Sequence, residues 1–106
     1  MAILLYQSAL LAGVTTDITA GGIAGGGTYL LTVCNRSAGA IPVSIAITTG
    51  GEPTDASWLE YLTPVPAAGS GKNVLSRHPV PLGEGWRVFV RASGDGLAVN
   101  LIGREE

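Results

Sequence analysis

The chain has 106 residues, of which 46% are apolar and 13% charged, and a formal net charge of −2. That length supports one core and not two, and so apolar a composition excludes a disordered chain. Six Lys and Arg against eight Asp and Glu supply no basic patch for nucleic acid, and a single cysteine cannot staple a disulfide scaffold.

Residues 1–51 carry only Asp17 and Arg36, and the other twelve charges lie between Glu52 and Glu106. The charge-poor half is expected to be covered by neighbouring subunits or coated by Thr, Ser and Gly. Met1 to Val14 is apolar but lacks a basic start and is interrupted by Gln7 and Ser8, so it does not read as a signal peptide. No run approaches the roughly 20 apolar residues of a membrane span. The lone Cys34 suits a protein assembled in a reducing cytoplasm.

Period-2 runs rich in β-branched and aromatic residues recur between Gly and Pro punctuation. They predict strands at about 3–11, 14–18, 29–35, 43–48, 58–62, 73–77, 86–92 and 97–102. The first run is apolar on both faces. Ile3, Leu5, Ala9 and Leu11 point one way, and Leu4, Tyr6 and Leu10 the other. It is therefore a central strand covered on both sides, or an edge or arm packed on another chain; residues 1–12 are read as the latter. Gly21 to Gly27 is a flexible loop. Pro42 starts its strand, where a missing amide is tolerated. Thr54, Asp55 and Ser57 can close one helical turn. Pro64, Pro66, Pro79 and Pro81 belong to connections or edges.

Gly69-Ser70-Gly71-Lys72 has Pro66 where a phosphate-binding loop needs Gly, and Asn73 where it needs Ser or Thr. It reads as a hairpin turn. Ser93-Gly94-Asp95-Gly96 carries the Asp-Gly signal of a tight turn, so the last two strands are expected to form a hairpin. Together these elements predict an all-β chain: one antiparallel sandwich of about eight strands over residues 1–106, jelly-roll or immunoglobulin-like.

Little in the chain points to catalysis. Cys34 reads as a small core residue and His78 as part of a Pro-rich connection. One Cys and one His cannot build a zinc site. Asp55, Glu60 and Glu84 read as scattered surface acids, not as a glycosidase pair. Asp17, Asp95 and the Glu105–Glu106 tail lack the clustering of a calcium loop. No catalytic, metal or cofactor site is expected. Trp86 shares parity with Val88 and Val90, which assigns it to the core. Trp58 shares parity with Glu60, and Leu59 and Tyr61 take the other face, so Trp58 is expected to be partly exposed. Arg87, Phe89 and Arg91 form a stripe of the kind enriched at subunit contacts. The candidate interface residues are Leu4, Tyr6, Leu10, Trp58, Arg87, Phe89 and Arg91.

Leu31-Thr32-Val33-Cys34-Asn35-Arg36-Ser37, followed by Ile41 to Ala46, resembles a strand-loop-strand element of small structural proteins of tailed bacteriophages. Trp58 to Ala67 is similar to their aromatic stretch ending in Pro-x-Pro-Ala. Leu82 to Ala92 and Leu97 to Gly103 are similar to their last two strands. The resemblance covers about residues 29–103, and residues 18–22 match the usual opening only loosely. It implies a non-enzymatic β-sandwich of the virion, assembled in the host cytoplasm. The expected role is a capsid decoration (cement) protein that self-associates, with a trimer favoured, and binds the major capsid protein. The alternative is a tail, baseplate or fibre module that binds a host receptor or glycan. No nucleic-acid or membrane partner is expected.

Overall fold

The computed structural model describes residues 2–105. Met1 and Glu106, and the side chains of Ala2, Ile3 and Glu105, lie outside the described residues, as does the Glu105–Glu106 tail considered for calcium. Eight strands run in order: β1 (Ala2–Ala9), β2 (Thr15–Asp17), β3 (Gly27–Asn35), β4 (Ile41–Thr48), β5 (Trp58–Val65), β6 (Val74–Leu82), β7 (Arg87–Ala92) and β8 (Leu97–Glu105). A single 3-10 turn, Asp55–Ser57, leads into β5, with the Thr54 amide donating to Ser57 Oγ at 3.0 Å.

The strands form two four-stranded antiparallel sheets. Sheet A has the order β1-β8-β3-β6 and sheet B the order β2-β7-β4-β5. Successive strands alternate between the sheets except at β4–β5. This arrangement is the jelly-roll, one of the two sandwiches the periodicity allowed. Alternating residues meet in the middle. Tyr29, Leu31 and Val33 of β3 and Leu97, Val99 and Leu101 of β8 pack against Val43 and Ile45 of β4 and Val88, Val90 and Ala92 of β7. Gly103 lies beside Tyr29, where an added Cβ would come 2.3 Å from the Tyr29 ring and 2.4 Å from the Thr28 carbonyl oxygen, so no other residue fits.

Two expected hairpins are absent. β7 lies in sheet B and β8 in sheet A, so Ser93–Gly96 spans the sandwich instead of closing a ladder. Turn chemistry dictates where the chain reverses, here with φ at 122° on Gly96, but not which sheet it enters next. The loop is held from both sides: Ser93 N–H donates to Pro42 O at 3.0 Å, and Arg36 N–H to Gly96 O at 2.8 Å. Gly69–Lys72 likewise belongs to a link from β5 in sheet B to β6 in sheet A. His78 is not in a connection. β6 runs through it, because an edge strand tolerates the missing amides of Pro79 and Pro81.

β1 is an edge strand, paired only with β8. Its two apolar faces follow from a bulge. Leu4 pairs with Ile102 and Tyr6 with Leu101, leaving Leu5 as the extra residue. Leu5 and Tyr6 consequently both pack toward the core, while Leu4 is 53% exposed. Strict alternation, which set Leu4 and Tyr6 on one side, fails at this point.

The two halves of the chain are not two sides of the molecule. β1 and β3 enter sheet A, and β2 and β4 enter sheet B. The charge shortage of residues 1–51 is therefore spread over both sheets.

Asn35, at the end of β3, is fully buried (0% exposed) and fully satisfied. Its Nδ2 donates to Gly39 O (2.8 Å) and Val65 O (2.9 Å), and its Oδ1 accepts from the Ser37 amide and hydroxyl, both at 2.8 Å. It also occupies the first position of an Asn-Arg-Ser glycosylation sequon, and its burial closes it to modification. Asn35→Ala leaves the buried Val65 carbonyl without its donor and the Ser37 amide without its acceptor, and is expected to cost about 2–4 kcal/mol. Urea unfolding with an unchanged slope and a lower midpoint checks this.

Candidate functional site

Charged side chains concentrate on the outer face of sheet B, which carries Asp17, Arg87 and Arg91. Strand register sets them in rows across it. Asp17 lies beside Phe89, Phe89 beside Ala46, and Ala46 beside Trp58. In the next row Thr15, Arg91 and Ser44 stand side by side.

The first row is a structural clamp. Asp17 accepts from the Thr19 amide at 2.8 Å, the Thr19 hydroxyl, the Gly21 amide at 2.9 Å and Arg87 Nε at 2.9 Å. Thr19 Oγ1 in turn accepts from the Val88 amide at 3.2 Å. The Arg87 guanidinium lies 4.7 Å from the Phe89 ring centroid. Arg87 is thus spent on Asp17 and on the ring, and Phe89 is 1% exposed beneath it. Neither presents the interface stripe expected from alternation; of the three, Arg91 alone is exposed. Leu10 is also withdrawn from the candidate interface, because it is buried in the core.

The second row opens a groove of about 930 Å³, lined by Trp58, Tyr61, Leu62, Arg91, Asp55 and Ser44 among others. Two irregularities in β5 build it. Ile45 pairs with Glu60 and Ala46 with Trp58, so Leu59 is an extra residue. Val43 pairs with Thr63, so Tyr61 and Leu62 together oppose Ser44. These bulges break the period of two. Glu60 takes the inward parity, where it binds Arg77 of β6 and accepts from Thr63 Oγ1 at 2.7 Å. Trp58 and Tyr61 come to one face as an edge-to-face pair, with ring centroids 5.7 Å apart at 68°. Alternation had placed them on opposite faces. Trp58 is half-buried, as expected for a partly exposed residue, and Tyr61 is 65% exposed.

Leu62 has φ at +52°, in the left-handed region that costs a branched side chain about 1–2 kcal/mol. Its amide donates to Ser44 Oγ at 3.0 Å, and Ser44 is 3% exposed. A buried hydroxyl therefore holds this conformation, while the leucine side chain stays 53% exposed.

The outer face of sheet A is different in kind. Its positions include Leu4, Gln7 and Ala9 of β1, Ala98, Asn100, Ile102 and Arg104 of β8, Thr28, Leu30, Thr32 and Cys34 of β3, and Val74 and Ser76 of β6. Arg104 is the one charge among them. Cys34 is half-buried on this face and not in the core as expected, with Asn73 Nδ2 3.7 Å from its sulfur. His78 sits opposite Leu30, roughly 13 Å along the sheet from Cys34 at 3.3 Å per residue, so the two do not meet. Glu60 is paired with Arg77, Asp55 lines the groove, and Glu84 lies in the β6–β7 turn. Among the described residues no three His, Cys, Asp or Glu groups gather as a metal would require. Trp86 is partly buried and packs on the core.

No family model, curated protein or solved structure matches this chain.

The Asp17 clamp responds to acid. Burial by itself would raise its pKa, but the Thr19 hydroxyl and amide, Arg87 and the Gly21 amide outweigh that and hold it below the ordinary aspartate value. Its stabilisation is complete above the unfolded value, about 4, and is lost as pH falls through the folded one. Asp17→Asn is expected to cost about 1.5–3 kcal/mol at pH 7. The gap to the parent should close as the pH drops below about 4 in a denaturation series.

Proposed function

We propose that this chain is a non-enzymatic structural protein of a tailed-bacteriophage virion, a capsid decoration protein that self-associates through β1 and docks on the major capsid lattice. The observation that carries the self-association is the contrast among the four sheet edges. β2 has three residues. β5 carries Pro64 and two bulges. β6 carries Pro79 and Pro81 and turns Arg77 inward to Glu60 of the facing sheet. Short strands, prolines, bulges and inward charges are the devices by which sandwiches keep their edges from pairing. β1 has eight residues with neither proline nor charge, and one bulge.

The almost uncharged outer face of sheet A continues from that edge and supports the same reading. Covering it costs little desolvation, since among its described side chains Arg104 is the one ion. The virion assignment is supported by the resemblance of residues 29–103 to phage structural proteins, and the jelly-roll is a fold that capsid proteins use. That last support is an analogy of fold and not of site.

Two strands pairing antiparallel across a two-fold axis close a dimer. A trimer would require β1 to meet a different surface of the next copy. Light scattering on the intact protein should give a mass above that of one chain, and a monomer at high concentration would sink the self-association. Leu4→Lys places a charge at the exposed side chain of this edge. It is expected to shift the oligomer to monomer without changing the circular dichroism spectrum. Cryo-microscopy of the particle should find the protein on the shell; a position confined to the tail would overturn the decoration role.

A further inference from the structure

We propose that the groove on the outer face of sheet B binds a neutral saccharide. This is independent of self-association, which concerns the edge and outer face of sheet A.

The first argument is strain. Glycine would adopt φ at +52° without penalty, yet position 62 holds a leucine, and the fold does not bury it. A conformation this unfavourable persists when the surroundings over-determine it, and such residues cluster at binding sites. Here the buried Ser44 hydroxyl holds the amide. The bulge that requires the strain is also what brings Tyr61 around to Trp58. Backbone cost is thus tied to the presentation of three exposed or half-exposed apolar side chains along one wall of a groove.

The second argument is the chemistry of the lining. Among the described residues neither the Arg91 guanidinium nor the Asp55 carboxylate has an ion-pair or hydrogen-bond partner. Their donors and acceptors are free. A pyranose ring presents apolar C–H faces and a rim of hydroxyls that both donate and accept. The faces suit an indole or phenol ring, and the rim suits a guanidinium and a carboxylate set apart from one another. Arg91 lies two strands from Tyr61 and Leu62, roughly 10 Å in backbone separation, a gap that one or two sugar rings fill. The two charges are opposite in sign, so an anionic or cationic ligand gains at one and loses at the other, and a neutral one is favoured. The groove volume of about 930 Å³ lies within the range of small-ligand sites, roughly 300–1,000 Å³.

The test is a titration of the intact protein with four neutral oligosaccharides, malto-, cello-, xylo- and chitohexaose, followed by amide and indole NMR. At least one is expected to give saturable shifts at the Trp58 indole and the Leu62 and Arg91 amides, with Kd near or below about 1 mM. The Trp86 indole, outside the groove, should stay unmoved. Tyr61→Ala, at an exposed position, should weaken binding by about tenfold. Leu62→Gly should raise the urea midpoint while weakening binding. The proposal is overturned if none of the four shifts the Trp58 indole at about 10 mM, or if Tyr61→Ala binds as the parent does. It is equally overturned if a proline-rich peptide saturates the groove and no saccharide does.

Discussion

The buried amide of Asn35 is the point on which both sheets depend. It ends β3, the strand that runs through sheet A beside β8 and β6, yet one of its two donated hydrogen bonds goes to Val65, the last residue of β5 in sheet B. The other goes to Gly39 in the turn that carries the chain toward β4. One side chain therefore ties the sheets together and fixes the end of β5. Asn73, just before β6, adds a further link by donating to Asn35 O at 3.0 Å. A residue with less hydrogen-bonding capacity would leave the Val65 carbonyl bare inside the sandwich, where an unpaired group is costly.

Anchoring β5 at Val65 has consequences further up the strand. Between that anchor and Trp58 the strand contains more residues than β4 can pair, and the surplus is taken up in two bulges. With the far end held by Asn35 and the middle held by Ser44 on the Leu62 amide, the surplus cannot slide out along the strand. It is forced outward, toward the Arg91 side of sheet B. The groove is thus a by-product of register in the same way that the inward turn of Glu60 toward Arg77 is. Both come from the loss of a strict period of two over a few residues.

That loss marks the limit of what could be read from the residues. The strands themselves were legible, because alternation such as Val43, Ile45, Ile47 and Val88, Val90, Ala92 survives intact in central strands. The single turn before β5 was legible from Thr54 and Ser57. Alternation failed at Leu5, at Leu59 and at Tyr61–Leu62, since a bulge has no signature in side-chain type when its left-handed residue is a leucine and not a glycine. Alternation therefore predicts opposite faces for Trp58 and Tyr61, and the groove has no signal in the sequence. The parity of Phe89 is outward, as alternation predicts, but it is 1% exposed because Asp17 and Arg87, some 70 residues apart in sequence, fold over it. The misplaced hairpins have a similar cause: Asp-Gly reports a reversal, whereas sheet membership depends on partners far along the chain.

The division of charge between the two outer faces can now be stated physically. Sheet A spends almost none, and its edge strand β1 has one bulge but neither proline nor charge. Sheet B carries Asp17, Arg87 and Arg91 in its rows, and Asp55 stands at the groove. Asp17 and Arg87 neutralise each other within the fold, which leaves Arg91 and Asp55 available. A face without ions loses little when another protein surface dries it, and a face with separated, unpaired ions keeps specific hydrogen bonds for a ligand with hydroxyls. If both faces served the same protein contact, the bulges and the left-handed leucine in β5 would stabilise nothing that a regular strand could not. Their persistence is what supports proposing different partners for the two faces.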